Sequence, residues 1–404
     1  MRIAMISEHA SPLAELGGDA GGQNIHVAEL AAALAAQGHE VRVYTRKDSE
    51  DQPPLVRMRE GVTVVYVPAG PPRPLPKDEL LPYMKDFSRA LVDQWRGEGW
   101  MPSVAHAHFW MSGLAAVTAG RQTGVPVVQT YHALGTVMRR HEGAADTSPP
   151  RRIGYERALG RAVDKVVAQC QDEVRELVRM GVPRARMTLI PSGVDSERFT
   201  PEGPIAPRDP DRPRILAVGR FVERRGFADL IRALRLVPDA ECVVVGGPPA
   251  AALDGDPFAR KLRRLAESTK VGDRLRFVGA VPANEMPRWY RSADVLAAAP
   301  WYEPFGLAPL EAMACGVPVV ATAVGGLTDT VVDGLTGDLV APRDPRSLGM
   351  ALRRVLGDPV RRFAYATAAL DRARQCYSWK RAAEQLSTVY AAVIGLRRPT
   401  GAVA

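Results

Sequence analysis

The stretch WYEPFGLAPLEAMACGVPVVAT, residues 301–322, carries two glutamates, Glu303 and Glu311, on either side of a break in local structure. Pro304 and Gly306 prevent one continuous helix from Glu303, whereas a proline is tolerated in the first turn of a helix. We therefore predict a loop at Glu303, a helix that carries Glu311, and a buried strand in the closing VPVVAT.

The alternation of strand and helix extends in both directions from this stretch. Apolar runs such as RIAMIS, PVVQTYH, RILAVGR and ECVVVGG are separated by helical patterns. Apolar strands of this kind, placed between amphipathic helices, indicate parallel sheets that are covered on both faces. Residues 200–213 contain five prolines in fourteen positions, which predicts a linker.

These patterns predict an α/β protein with two doubly wound, Rossmann-like domains that face a cleft. Ligands of such sheets bind beyond the carboxyl ends of the strands. The predicted boundaries are 1–199 for the first domain, 200–213 for the linker and 214–376 for the second domain. The remaining segment, 377–404, is predicted to be a helix that packs back on the first domain.

The composition excludes several classes of protein. The chain is 46% hydrophobic, which is typical of globular domains, and it has no apolar run of about 18 residues that would cross a membrane. We expect a cytoplasmic protein. Its net charge is +8, but the basic residues form no block, and only seven of the 53 are Lys. This pattern argues against nucleic acid and favours a small anionic ligand, because Arg binds phosphate with a planar fork of donors.

Two strand-to-helix turns have the composition of phosphate-binding loops. Gly21 and Gly22 follow the first strand and precede a helix, whose N-terminal N–H groups and dipole favour phosphate. In AVGRFVERRGF a strand ends before Arg220 and Arg225, whose guanidinium groups suit the oxygens of a diphosphate. The GxGxxG fingerprint of dinucleotide binding is absent. A flexible connection and a surface role are the alternatives for these turns.

The opening stretch suits a ligand that combines sugar hydroxyls with phosphate. The amides of Phe305, Gly306 and Leu307 are predicted to be free donors between the two carboxylates. If one carboxylate holds the hydroxyls of a sugar and the other a ribose diol, the amides hold phosphate. Glu303 and Glu311 then bracket a nucleotide sugar.

The histidines and the DxD triplets offer two ways to hold a metal ion. His106 and His108 alternate on a strand and point to one face, but no matching Cys, Asp or Glu cluster is evident, so we predict core or strand-end histidines. The triplets 209–211 and 254–256 lie in loop sequence and are predicted to be solvated turns. We therefore predict no metal site. His132 differs from the other histidines because it ends a strand at the predicted cleft.

The sequence resembles the retaining glycosyltransferases of family 4, which have the two-Rossmann GT-B fold, over nearly the whole chain. The resemblance is carried by DAGGQNIHVAELA, HAHFWMSG, TYHALGTV, GRFVERRG, EPFGLAPLEAMACGVPVVAT and YSWKRAAEQL. Within the family, GGQN and LPKDELLPYM are most similar to the branch of sucrose-phosphate synthase and inositol-phosphate N-acetylglucosaminyltransferase.

The resemblance implies roles for the donor side of the site. It implies that Glu303 contacts the donor sugar, that Glu311 binds the ribose hydroxyls, and that Gly22 and Arg220 bind the diphosphate. His132 would contact the reacting sugar. The family usually has Arg and Lys as its basic pair, and in this chain Arg225 takes the second position, which keeps the charge but changes the fork geometry.

The resemblance implies an acceptor side in the first domain, with some departures. Lys77, His108 and Arg152 are the positions implied for acceptor binding, although Arg151 also fits the alignment of the last. Phe109 and Ala133 stand where the branch has hydroxyl groups that grip the acceptor phosphate. We hypothesise that these departures mark a different acceptor.

The resemblance implies a bacterial, retaining hexosyltransferase that needs no cofactor. Its donor is a nucleoside-diphosphate sugar, with UDP suggested by the nearest branch, and its acceptor is a small polar molecule such as a sugar, a cyclitol or their phosphate. In this family the leaving phosphate is thought to accept the acceptor's proton. Two alternatives remain: a glycoside hydrolase that uses Glu303 and Glu311, and a non-catalytic protein that binds a nucleotide sugar.

Overall fold

The computed structural model describes residues 1–14, 21–97 and 99–397. These residues form two compact units. Unit 1 consists of Met1–Ala14, Gly22–Pro191 and the described part of Trp379–Ala404, and unit 2 consists of Ser192–Ser378 together with Gly21. Within the described ranges, no helix is both long enough and apolar enough to span a bilayer.

Unit 1 is built on a sheet of eight strands. In chain order they are β1 (Arg2–Ile6), β2 (Glu40–Arg46), β3 (Leu55–Arg59), β4 (Val62–Val67), β5 (Val104–His108), β6 (Val127–Thr130), β7 (Lys165–Ala168) and β8 (Met187–Leu189). Their order across the sheet is β3-β4-β2-β1-β5-β6-β7-β8. Every pairing is parallel except β3 with β4, which is antiparallel.

Unit 2 is built on a parallel sheet of six strands. They are β9 (Arg214–Val218), β10 (Glu241–Pro249), β11 (Leu275–Ala280), β12 (Val295–Ala298), β13 (Val319–Thr322) and β14 (Gly337–Val340). Their order is β11-β10-β9-β12-β13-β14. Strands β9, β12 and β13 are apolar and mostly buried, because helices cover both faces of a sheet of this kind.

Helices alternate with the strands in both units, as the sequence predicts. Unit 1 contains α1 (Gly22–Ala36), α2 (Met84–Gly97), α3 (Trp110–Thr123), α4 (Gly135–Glu142), α5 (Arg152–Ala162) and α6 (Gln171–Arg179). Unit 2 contains α7 (Phe227–Ala233), α8 (Pro257–Ser268), α9 (Met286–Arg291), α10 (Leu307–Ala314), α11 (Leu327–Thr330), α12 (Pro345–Gly357) and α13 (Pro359–Cys376). The last helix, α14 (Trp379–Arg397), belongs to unit 1.

Helix α14 packs on α1 through side-chain hydrogen bonds as well as apolar contact. Gln37, just after α1, donates to the carbonyl oxygen of Lys380 at 3.2 Å and accepts from the hydroxyl of Ser387 at 3.0 Å. The chain crosses from unit 1 to unit 2 at residue 192. The proline-rich residues 200–213 lie inside unit 2, where Arg208 pairs with Asp294 at 2.7 Å. The boundaries derived from the sequence remain predictions.

The strand order reverses once in each sheet, and these points position the candidate sites. In unit 1 the reversal lies between β1 and β5, and in unit 2 it lies between β9 and β12. Neighbouring connections leave such a pair of strands on opposite faces of the sheet, which opens a crevice beyond their carboxyl ends. The segments after β5, β9 and β12 are therefore the places to look for ligand-binding side chains.

Candidate functional site

The segment after β12 has the broken conformation predicted for it. Glu303 lies on a loop and Glu311 on α10, which runs from Leu307 to Ala314. Gly306 has a φ of 89°, a left-handed conformation that favours glycine, and it turns the chain into the helix. The carbonyl oxygen of Glu303 accepts a hydrogen bond from the amide of Gly326 at 3.0 Å, which ties the loop to the segment after β13.

Glu303 forms an ion pair with Arg225. The carboxylate is 8% exposed, and it accepts a hydrogen bond from one terminal nitrogen of the guanidinium. Arg225 ends a short 3-10 turn, and Gly226 follows with a φ of 71°. A Cβ atom at Gly226 would lie 1.8 Å from the carbonyl oxygen of Ala299, so only glycine lets this turn approach the end of β12.

Two kinds of unused donor belong to this ion pair or follow it in the chain. The Nε atom of Arg225 is buried and has no hydrogen-bond partner among the described residues. Just after Glu303, the amides of Phe305, Gly306 and Leu307 donate to no backbone acceptor within the described part of the chain. Buried donors are normally satisfied, and N–H groups at a helix N-terminus bind anions readily. These donors suit the oxygens of a phosphate.

Glu311 is held by a tyrosine that the sequence analysis did not select. The hydroxyl of Tyr290, on α9, donates to a carboxylate oxygen of Glu311 at 2.6 Å. Burial raises the pKa of Tyr290 well above its usual range, and the charge of Glu311 raises it further. The phenol therefore remains a donor at all physiological pH values, and it fixes the direction in which Glu311 presents its other lone pairs.

The other phosphate-loop residues lie where the sequence placed them. Arg220 follows the end of β9, and Gly22 begins α1 after the end of β1. Gly21 immediately precedes α1, and residues 15–20 of the same glycine-rich loop lie outside the described residues. The predicted turn conformations are confirmed, whereas contact of these residues with a ligand remains a prediction.

Two residues with unusual backbone conformations follow the adjacent strands β5 and β6 in unit 1. Phe109 has a φ of 82° and His132 a φ of 61°, which are uncommon values for residues other than glycine. The amide of Phe109 donates to the carbonyl oxygen of Thr130 at 2.8 Å, so the two strand ends are held together. Backbone strain of this kind is concentrated at functional sites, because the surrounding structure must stabilise it.

Four histidines cluster at these strand ends. His108 Nδ1 lies 2.9 Å from His132 Nε2, and the ring of His26, on α1, lies 4.8 Å from that of His132. His106, also on β5, bonds through one ring nitrogen to Tyr390 at 2.6 Å and through the other to Thr130 at 2.9 Å. The side chains of His106 and His108 do lie on one face, as the strand period predicts.

The clustered histidines are neutral at physiological pH. Burial lowers the pKa of His26 and of His106 to about 3. It lowers the pKa of His108 and His132 well below the usual range, and the neighbouring imidazoles lower it further. The end of β5 and β6 therefore offers neutral imidazoles, which can donate, accept or bind a metal but do not supply charge.

The residues implied for acceptor binding surround Phe109. Arg152 forms a buried ion pair with Glu156 at 2.7 Å and donates to the carbonyl oxygen of Ala133 at 2.7 Å. Its guanidinium carbon lies 5.0 Å from the centre of the Phe109 ring, and Lys77 Nζ lies 6.0 Å from the same ring. Arg152 is therefore held in place by Glu156 and Ala133, and it packs against the ring of Phe109. Its contact with an acceptor remains a prediction, as do those of Lys77 and His108.

The two DxD triplets have local structural roles. Asp256 caps the N-terminus of α8 by accepting from the amide of Ala259 at 2.7 Å, and Asp254 pairs with Arg263 at 2.7 Å. In the other triplet, Asp209 accepts from the amide of Asp211 within a turn. The prediction that both are turns is confirmed.

Comparison with known proteins places the chain in a family. The model of Glycosyltransferase Family 4 matches residues 20–198, and that of Glycosyl transferases group 1 matches residues 202–372. The chain is 39% identical over 409 residues to a D-inositol 3-phosphate glycosyltransferase of Xylanimonas cellulosilytica, with 96% of each chain covered. The chain belongs to glycosyltransferase family 4. A relative of the same name from Stackebrandtia nassauensis is 36% identical, covering 98% of this chain and 92% of the relative.

Solved structures confirm the fold of this family 4 glycosyltransferase. Sucrose-phosphate synthase from Thermosynechococcus elongatus superposes with a TM-score of 0.89 at 31% identity, covering 98% of this chain and 99% of that one. This likeness, with the two parallel sheets, shows the predicted GT-B fold. HepE of Anabaena, solved in complex with UDP-glucose, shares the fold with a TM-score of 0.75 at 18% identity, covering 97% and 100% of the two chains.

Sequence reasoning missed several residues that lie beside the selected side chains. Tyr290 and Glu156 each hold a charged side chain that was selected, but they lie on helices with no motif of their own. His26 was overlooked although it lies in the first turns of α1, four residues after Gly22, where a side chain can lie near the adjacent strand ends. Its position near the N-terminus of α1 was the sequence feature that could have predicted this placement.

Proposed function

We propose that this family 4 glycosyltransferase is a retaining hexosyltransferase that uses a UDP-sugar. Its acceptor is a hydroxyl group of a small cyclitol or sugar, free or phosphorylated. The observation that carries the proposal is the set of unused donors after β12. Arg225 Nε, on the ion-pair partner of Glu303, and the amides of Phe305, Gly306 and Leu307, which follow Glu303 in the chain, have no hydrogen-bond acceptor among the described residues.

In this proposal unit 2 holds the donor. Glu303 accepts hydrogen bonds from the hydroxyls of the sugar, and Glu311 accepts them from the ribose. Arg220, Arg225 and the amides bind the diphosphate, with Gly21 and Gly22 supplying further amides. The choice of UDP is supported by HepE, a protein of the same fold that was solved with UDP-glucose.

Stabilisation of developing charge is the main catalytic contribution that we assign to these residues. The bond between sugar and diphosphate lengthens as the leaving group gains negative charge and the anomeric carbon gains positive charge. Donors already aimed at the leaving oxygens stabilise that state without reorganisation, and the loss of one such donor commonly costs about 3 kcal/mol in the barrier. The leaving phosphate then takes the proton of the acceptor hydroxyl, so no side chain is needed as a base.

We assign the acceptor to unit 1. His132 is placed against the reacting sugar, where a neutral imidazole can hydrogen-bond a hydroxyl without adding positive charge beside an oxocarbenium-like centre. Lys77 is the candidate for a phosphate on the acceptor, because its ammonium group is positively charged and lies 6.0 Å from the centre of the Phe109 ring. The relatives named for D-inositol 3-phosphate support a cyclitol acceptor.

The rival functions account for fewer observations. A glycoside hydrolase would use Glu303 and Glu311 as an acid and base pair. In the structure each carboxylate has its own partner, Arg225 for Glu303 and Tyr290 for Glu311. The hydrolase also gives no role to the unused donors. A non-catalytic nucleotide-sugar binding protein would use them, and only a turnover assay separates it from a transferase.

Calorimetric titration tests the donor, and product analysis tests the reaction. We expect UDP to bind at micromolar concentration without added magnesium, and GDP, ADP and TDP to bind more weakly. Incubation with UDP-glucose or UDP-N-acetylglucosamine and inositol phosphate should then give a product whose anomeric proton coupling shows retention. Binding of none of the four nucleotides, or an inverted product, would contradict the proposal. Tight binding of UDP without turnover on a broad acceptor panel would favour the non-catalytic alternative.

A further inference from the structure

Three histidines of unit 1 are arranged as a set of metal ligands. One ring nitrogen from each of His26, His108 and His132 lies within 4.8 Å of the others. His26 lies on α1, His108 is the last residue of β5, and His132 is the second residue after the end of β6. In the part of the chain that the structure describes, no other group of three or more His, Cys, Asp or Glu side chains is arranged to hold a metal ion.

An unsatisfied ring nitrogen points to a missing ligand at this cluster. His108 is completely buried, and its Nδ1 lies 2.9 Å from His132 Nε2. Its other ring nitrogen, Nε2, is buried and has no hydrogen-bond partner among the described residues. Buried polar atoms are nearly always satisfied, and an exception calls for an unseen water, ion or ligand.

Hydrogen bonds to neighbouring side chains distinguish these three histidines from His106, the fourth member of the cluster. Both ring nitrogens of His106 are already occupied, by Tyr390 and by Thr130. The amide of Gln169 lies 3.3 Å from His26 Nδ1. An amide beside the second nitrogen of a ligating imidazole orients the ring, because it can donate or accept as the tautomer requires.

Coordination chemistry favours zinc or a similar divalent transition metal for this set. Three imidazoles with a fourth, open position form a known arrangement for Zn²⁺, with Zn–N distances of about 2.0–2.1 Å. A tetrahedral site then separates the ligand nitrogens by about 3.3 Å, so a nitrogen pair at the upper limit of 4.8 Å would have to approach by about 1.5 Å.

We propose that His26, His108 and His132 form a binding site for one Zn²⁺ ion, with the fourth position open to water or to an anion. The partial exposure of His132 gives the metal a way in. Because His132 also belongs to the transfer site in the proposed function, zinc bound here should inhibit transfer. That consequence rests on the proposed function, whereas the metal site itself does not.

Cobalt spectroscopy and zinc titration test the site directly. We expect the full chain, stripped with a chelator, to bind one equivalent of Co²⁺ with the visible absorption of a four-coordinate nitrogen site, and Zn²⁺ to displace it. His26→Gln removes one ligand and should weaken Zn²⁺ binding about 100-fold or more, since loss of an outer partner alone costs about 10–100-fold. His26 was assigned no part in transfer, so His26→Gln should keep its transfer activity and lose the inhibition by zinc.

A matched variant excludes adventitious binding by histidine. His141→Gln removes a histidine of α4, outside the cluster, and should bind one Zn²⁺ as the unchanged chain does. If the unchanged chain gives no cobalt spectrum, the site does not exist, whether or not the variants fold. Equal zinc affinity of His26→Gln and His141→Gln would also overturn the proposal. Stoichiometric zinc binding without inhibition would support the metal site and remove His132 from the proposed transfer site.

Discussion

Tyr290→Phe should weaken nucleotide binding although Tyr290 is buried and is given no contact with the ligand. The hydroxyl donates to Glu311 at 2.6 Å, and the ring packs against Phe199 with 5.8 Å between ring centres. Phenylalanine keeps the ring and its packing, so the substitution removes only the donor. Glu311, which is partly exposed, then loses the hydrogen bond from Tyr290 that orients its carboxylate.

The size of the effect follows from what the hydrogen bond does in the free protein and in the complex. Immobilising a rotamer-rich side chain on binding costs about 0.5–1.5 kcal/mol. Tyr290 has already immobilised Glu311, and without it this cost appears on binding, so the Kd for UDP should rise about 5-fold. The hydrogen bond to a charged group is also lost from the folded state, which should lower the free energy of unfolding by about 1.5 kcal/mol.

A second tyrosine in unit 2 provides the control. Tyr365 donates to the carboxylate of Asp338 at 2.8 Å, so Tyr365→Phe removes the same kind of bond elsewhere in the unit. It should lower the free energy of unfolding to a similar extent and leave the Kd for UDP unchanged. The measurements are calorimetric titration with UDP and urea unfolding of each variant.

A double-mutant cycle decides whether Tyr290 acts through Glu311. Glu311→Ala should raise the Kd about 10–100-fold, because it removes charge-assisted hydrogen bonds to the ribose. In that background Tyr290→Phe should have almost no further effect on the Kd, since its only route to the ligand is gone. If the fold-changes in Kd caused by the two substitutions multiply in the double variant instead, Tyr290 does not act by positioning Glu311. If Tyr290→Phe binds UDP as tightly as the unchanged chain, the reasoning fails at its first step.

Four further outcomes are expected. His132→Ala should leave the Kd for UDP unchanged and reduce the transfer rate in the same preparation, and undiminished transfer would remove the residue from the site. Glu303→Ala should mainly lower turnover, with a smaller effect on UDP affinity by calorimetry. Glu156→Gln should lower the free energy of unfolding by about 3 kcal/mol in urea, because it leaves a buried guanidinium unpaired. The free energy of unfolding should also fall by about 3 kcal/mol between pH 6.5 and 5.5. His26, His106, His108 and His132 take up protons only when unfolded, at about 1 kcal/mol each, and buried Glu173, whose pKa is raised to about 7, offsets about 1 kcal/mol. A flat profile would contradict the low pKa values of the histidines.

The parts of the fold that follow from local sequence were predictable. The loop at Glu303 and the helix that carries Glu311 are dictated by Pro304 and Gly306, whose backbone restrictions act at short range. The apolar strands between amphipathic helices gave the two parallel sheets. The position of Arg225 at a strand-to-helix turn was also readable, because Gly226 marks the end of that turn.

The supporting side chains could not be predicted, because they depend on packing between distant elements. Tyr290 reaches Glu311 from another helix, and nothing in its local sequence distinguishes it from a core tyrosine. The positive φ value of Phe109 has no sequence signal either, and that of His132 has only a weak one, since histidine is enriched at positive φ but seldom adopts it. The sequence predicted that no metal cluster accompanies His108, and it missed that a helix would bring His26 to the same strand ends.

The two candidate sites differ in a way that matches their proposed roles. In unit 2 the selected carboxylates have partners, Arg225 and Tyr290, and further donors are left unused, so the surface is prepared for an anion. In unit 1 burial keeps the imidazoles uncharged, and Arg152 is paired internally. A transferase needs positive charge where its diphosphate leaves and needs none beside the positive centre that forms on the sugar. Each unit on its own therefore has the electrostatic character that its assigned half of the reaction requires.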